Sequence, residues 1–132
     1  MPNSLLLDIV TYLTAKGVIE GDGIDTFRDF IPETPDCLVS LTEYKGSPVV
    51  PYEPTVHRSV QILVRDTDAD VARRRALEIY KVLIPKLENL RVDFTDERWG
   101  QVSLRQTPYR IRTDSLDRVS YGFNVGITTT IE

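Results

Sequence analysis

Between Val60 and Ile84 the hydrophobic period of the chain changes once, and this change constrains the fold more than any other stretch. Val60, Ile62 and Val64 alternate with Gln61 and Arg65, the period of two that lays one side of a strand against a core. Ala72, Ala76, Ile79, Tyr80, Leu83 and Leu87 then recur at helical spacing and form one apolar stripe. Thr67 stands at the N-cap position with Asp70 three residues on, so the spacing predicts a capping box. Asp68 and Asp70 fall in the first turn, where the helix dipole favours negative charge. Asp70 is spaced to pair with Arg74, and Arg74 with Glu78. Ile84 precedes Pro85, which predicts an end or a kink at 84.

The flanking segments carry weaker signals of the same kind. Asn3 or Ser4 is placed to cap a helix over residues 5–16, with Leu6, Ile9, Val10 and Leu13 on one face and Gly17 as its stop. Gly21, Gly23, Pro32 and Pro35 predict loop over 18–36, with a short strand around 25–30. Residues 37–44 read as a strand, with Cys37, Val39 and Leu41 on one face and Leu38, Ser40, Thr42 and Tyr44 on the other. Residues 45–56 hold Gly46, Pro48, Pro51 and Pro54 and cannot serve as a central strand, because each proline lacks the amide donor. Two readings stay open for them: a semi-rigid extended arm leaving the sheet between two strands, or a loose surface loop.

Residues 86–100 are polar and irregular, with Val92 and Phe94 as the points that tuck in. Residues 101–111 read as a strand with Val102 and Leu104 on one side and a break at Pro108, and 112–117 have turn chemistry. The longest strand spans 118–131. Val119, Tyr121, Phe123, Val125, Ile127, Thr129 and Ile131 form its large face, expected to be buried. Ser120, Gly122, Asn124, Gly126, Thr128 and Thr130 form a small polar face that either meets solvent, with glycines at bulges, or admits another chain. Together these elements predict an α+β fold in one domain, 1–132. The expected body is a mostly antiparallel sheet of about four to five strands with two main helices packed against it, in the order α-β-β-α-β-β.

The net charge of −4 argues against a general nucleic-acid binder, which needs a basic footprint, but leaves room for a protein that stands near DNA without gripping it. Leu5-Leu6-Leu7 meets Asp8 at once and is too short for a signal core or a membrane span. Cys37 is the sole cysteine, which leaves no internal disulfide or cysteine metal cluster and fits a reducing, cytoplasmic place of synthesis. At the start of a buried-looking strand it reads as a small hydrophobe. Asp66, Asp68 and Asp70 begin like a calcium loop, but Val71 replaces the turn glycine and Leu77 the bidentate glutamate, so capping explains them better. His57 has no motif around it and reads as structural or exposed. Gly21-Asp22-Gly23 lacks the remainder of any phosphate-binding loop. Arg73, Arg74 and Arg75 spread over about 200° of a helix and form no flat phosphate surface. No catalytic, cofactor or metal constellation emerges.

Three stretches in this order carry a likeness: Tyr44-Lys-Gly-Ser-Pro48; Val60-Gln-Ile-Leu-Val-Arg-Asp66 leading into the Ala72 to Tyr80 helix; and Gln106-Thr-Pro-Tyr-Arg-Ile-Arg-Thr-Asp114 followed by Arg118 and Tyr121-Gly-Phe-Asn124. With them the chain resembles the tail terminator, or tail completion, proteins of long-tailed bacteriophages, a family that includes proteins called phage minor capsid proteins. The likeness runs from about residue 37 to the end; the N-terminal third matches only as a helix followed by a variable loop. It implies a structural part of the virion and no enzyme or cofactor: a homo-hexameric ring on the last ring of the tail tube protein, stopping its growth and offering a surface to the head–tail connector or stopper protein. DNA would pass through the ring without sequence-specific binding, no membrane would be involved, and assembly would take place in the host cytoplasm. Candidate contacts to neighbours are Tyr44, Pro48, Pro51, Tyr52 and Pro54 around the proline segment, Arg73 and Arg74 on the helix, and Gly122, Asn124 and Gly126 on the last strand. Trp99, the one tryptophan, reads either as an interface anchor in a polar loop or as a cap on the core. Two other readings compete: a head-completion or stopper protein on the portal side, and a small ligand-binding or enzymatic α+β domain.

Overall fold

The computed structural model describes residues 4–44, 55–84, 91–95, 98–104 and 106–130. The strand expected from Val60 begins earlier. β3 spans Thr55–Asp66 and pairs antiparallel with β7, Val119–Thr130, along its whole length, from Thr55 opposite Thr130 to Asp66 opposite Val119. β2 (Leu38–Tyr44) pairs with the free edge of β3, and β1 (Thr26–Arg28) runs parallel to β2. The other edge of β7 is shared in succession by β6 (Tyr109–Thr113) and β5 (Trp99–Leu104), and β4 (Arg91–Asp93) closes the order on β5.

The sheet is therefore a curled, mixed, seven-stranded half-barrel, with 44% of the described residues in strands against 25% in helices. This corrects the expectation of a mostly antiparallel sheet of four to five strands. Two causes are plain. The break at Pro108 separates two strands that occupy different stretches of β7, and β4 is too short to show a period inside a polar segment. The parallel β1–β2 pair arises because residues 29–37 double back to the same end of the sheet instead of forming a hairpin.

Helix α1, Leu5–Ala15, is capped by the Ser4 hydroxyl, which accepts from the Leu7 amide at 3.2 Å. It stops at Lys16, followed by Gly17 at φ +76°, the left-handed position that glycine fills without strain. Helix α2, Ala69–Leu83, starts one residue later than expected: Asp68, not Thr67, is the N-cap, and its carboxylate accepts from the amides of Asp70 and Val71. A charged acceptor binds the orphan amides more strongly than a hydroxyl does. Thr67 donates instead to Asp66, which also accepts from the Asp68 amide. Asp70 pairs with Arg73 at 3.9 Å rather than with Arg74. The helix ends where Pro85 requires, with Ile84 as C-cap.

Both helices lie on one face of the sheet. Leu5, Leu6, Ile9, Val10 and Leu13 of α1 and Ala76, Ile79 and Leu83 of α2 enclose a core with Val39, Leu41, Val60, Ile62, Val64, Phe123, Val125 and Ile127. Tyr80 meets Phe123 edge-on at 5.4 Å. Val92 and Phe94 are buried as expected, and Phe94 folds over Gly100, where an added Cβ would stand 2.7 Å from its ring.

The opposite face of β7 answers neither of its two readings fully. Near Ser120 and Gly122 it is buried by the chain's own elements, and from Asn124 to Thr128 it is half-buried. A bulge between Arg110 and Arg112 takes Ile111 out of the ladder, and its side chain lies across Gly122. A Cβ there would meet the Ile62 carbonyl at 2.4 Å and Ile111 Cδ1 at 2.8 Å.

Two substitutions check this packing by chemical denaturation. Leu83→Ala, at a side chain 1% exposed, should cost about 2–5 kcal/mol. Gly122→Ala should cost about 1–3 kcal/mol, because the ladder must shift to admit a methyl group; an unchanged midpoint would contradict the close approach of β3 and Ile111.

Candidate functional site

The surfaces available to partners lie mainly at the two ends of the sheet and on the outward side of α2. At one end β2 and β7 begin and β3 finishes, and two buried arginines hold a crossing segment in place. Arg65, 5% exposed, donates to the carbonyls of Pro32, Glu33, Pro35 and Asp36 at 2.7–3.2 Å. Arg118, 4% exposed, donates to Asp114 at 2.8 Å, to the Glu33 carbonyl at 2.6 Å and to Asp36 at 3.2 Å. Burial first, and then the charge of Arg118, hold the Arg65 guanidinium below its usual pKa. Phe30, Ile31 and Leu116 remain exposed on the segments that these arginines join.

Beside this end lies an open groove of about 470 Å³, bounded by residues 17–20, Ile24, Asp25, Pro35, Cys37 and Arg75. It continues into a smaller one of about 240 Å³ between Val18, Val71, Arg74, Arg75 and Glu78. Arg75 and Asp25 form a close ion pair there. Burial would raise the Asp25 carboxyl, but the amides of Glu20 and Gly21, the Thr26 hydroxyl and Arg75 outweigh it and hold the group below the usual carboxylate range. Cys37 corrects an expectation: it precedes β2 and is exposed. Partial desolvation of its thiol and the neighbouring Asp66 raise its pKa, which keeps it protonated and weakly nucleophilic at neutral pH.

At the opposite end Tyr44 is 42% exposed. His57 is exposed, with Nδ1 2.6 Å from the Thr128 hydroxyl. Trp99 is half-buried and opens β5, so it stands on a strand and not in a polar loop. Pro48, Pro51, Tyr52 and Pro54 lie outside the described residues. Arg73 and Arg74 are exposed on α2, whereas Asn124 and Gly126 are half-buried on the second face of β7 and Gly122 is buried there. The described candidates thus occupy three separate regions and do not converge on one site.

Sequence reasoning missed the buried polar groups: Arg65, Arg118, Asp25 with its half-buried partner Arg75, and Asp8 with Arg98 at 2.5 Å. Asp8 left a trace, as a carboxylate among the apolar positions of its helix. Among the described residues no group of three or more His, Cys, Asp or Glu is placed to hold a metal ion, and no helix is long and apolar enough to cross a membrane. The amides held by Asp66 and Asp68 account for those carboxylates as turn and cap.

A family model described as bacteriophage tail terminator protein matches residues 12–131, a span that contains all seven strands and α2. The chain belongs to this family. A comparison with curated proteins found no match. Membership makes the protein a component of the phage tail whose partners are other tail and head proteins. Tail terminators are structural proteins, which weighs against the enzymatic reading.

Asp25 gives a pH test. A carboxylate whose folded pKa is depressed contributes stability above its unfolded pKa of about 3.9, and that contribution is lost as the pH falls through the folded value. Asp25→Asn should therefore lower the denaturation midpoint at pH 7, and the difference from wild type should shrink as the pH drops below about 4. A difference independent of pH would remove the ionised carboxylate from the account.

Proposed function

We propose that the protein assembles as a homo-hexameric ring on the last ring of the tail tube, stops tube polymerisation and offers the surface that the head connector or stopper protein joins. The observation that carries this reading is the family match over residues 12–131. Two unlike ends of the sheet support it, because a ring is built from heterologous contacts between different patches. In this reading Tyr44, Trp99 and the proline segment meet neighbours at one end, Arg73 and Arg74 contribute along α2, and Asn124 and Gly126 lie beside a contact on β7. DNA passes through without sequence-specific binding, which a net charge of −4 suits better than a basic surface would. The ring forms in the host cytoplasm and stays at the head-proximal end of the tail.

Assembly of tail tubes with and without the protein tests this. Saturating protein should fix tube length and make the tails able to join heads, and negative-stain images should show sixfold rings on the tube ends. Continued growth at saturation would sink the proposal, and binding to the portal-side connector in its place would identify a stopper protein.

A further inference from the structure

In the groove beside Arg75 exposed apolar side chains meet unpaired charges. Ile24 is 62% and Val71 38% exposed, and Val18 lines both parts of the groove. Arg74 and Glu78 stand on its rim, and among the described residues neither makes an ion pair. We propose that this groove receives the proline-rich segment 45–54 of a neighbouring copy. The inference rests on the ring reading and names the contact that links one subunit to the next.

The segment's chemistry fits. Lys45-Gly-Ser-Pro-Val-Val-Pro-Tyr-Glu-Pro54 has an apolar middle in Val49, Val50 and Tyr52, with one cation and one anion toward its ends. Glu53 complements Arg74. The three prolines reduce the conformational entropy lost when such a segment is ordered on a partner.

Chain geometry rules out the same contact within one subunit. The segment is tethered at Tyr44 and Thr55, at one end of the β2–β3 hairpin. Cys37, in the groove, lies beside Asp66 at the other end of β3. Eleven residue steps along β3 from Thr55 to Asp66 span about 36 Å. Val50 is five residues from Thr55 and can lie at most about 17 Å from it. With β3 near full extension a gap of about 15 Å remains, more than a disulfide can bridge. The groove and the segment are therefore used only between copies, each subunit giving with one end and receiving with the other, which is a heterologous contact.

The sole native cysteine supplies the test. A tagged chain carrying Val50→Cys and Cys37→Ser is mixed with wild type, whose one thiol is Cys37, at concentrations where sedimentation or tube ends show assembled rings, and then oxidised. The expected dominant product is the mixed disulfide dimer. A second arm uses charge: Arg74→Glu should weaken ring assembly about tenfold, and Glu53→Arg in the same chain should restore it. Rings that form normally without mixed dimers, or that tolerate Arg74→Glu unchanged, overturn the groove contact and leave the ring standing. Absence of rings both in solution and on tube ends overturns the ring reading and this contact with it.

Discussion

Everything else in the molecule is placed by the antiparallel ladder between β3 and β7. A slip of one residue would turn every side chain of a strand to the other face, so the register must be fixed from both sides. On the core face Ile62 stands opposite Phe123 and Val60 opposite Val125, all buried under the helices. On the second face Leu63 stands opposite Gly122 and Arg65 opposite Ser120, so the small residues of β7 face the bulkier ones of β3. Gly122 has room for Ile111 above it and for nothing larger than hydrogen at its own Cα. A two-residue slip of β7 would set Ser120 or Asn124 beneath Ile111. β2 then builds on one side of this ladder, and β6 and β5 share the other.

The arginines show how a polar interior is made tolerable. Two buried guanidinium groups in one neighbourhood repel each other, and burial penalises both. Four backbone carbonyls around Arg65 and the Asp114 carboxylate at Arg118 offset this, and the planar fork of arginine suits several acceptors at once. Glu33 and Asp36 contribute less through their carboxylates, because those side chains are 79% and 59% exposed and water screens them. The result is a segment held over the sheet by hydrogen bonds more than by apolar burial. That is why Phe30 and Ile31 can remain outside.

The local elements were legible in the sequence because their signals are local. The change of period at Thr67, the stripe on α2, Gly17 after α1 and the alternation of β7 each depend on a few neighbouring residues. What escaped depends on residues far apart. Arg65 occupies the polar side of an alternating strand, and nothing nearby indicates that residues 32–36 return to cover it. The glycine at 122 could be read as a bulge or as an approach by another chain; the approach is real but comes from Ile111 and β3. β1 falls inside the short strand expected around 25–30, but its parallel pairing, like the whole of the three-residue β4, is set by partners and carries little pattern of its own. The candidate contacts were the least legible, because an interface is defined by two surfaces and a single chain supplies one side.

The fold itself limits how copies can meet. One face of the sheet is closed by α1 and α2, and part of the other by residues 29–36 and Ile111. Open surface is left chiefly at the ends and along α2, and the two ends differ in chemistry. A two-fold dimer needs one self-complementary patch, whereas unlike patches favour a rotation repeated from subunit to subunit. In the ring reading, the curl of the sheet sets the angle between giving and receiving ends. Closure demands that this angle be the same in every copy. A long ladder with its register fixed on both faces is a rigid way to hold it, since neither strand can slide without expelling the core or striking Gly122.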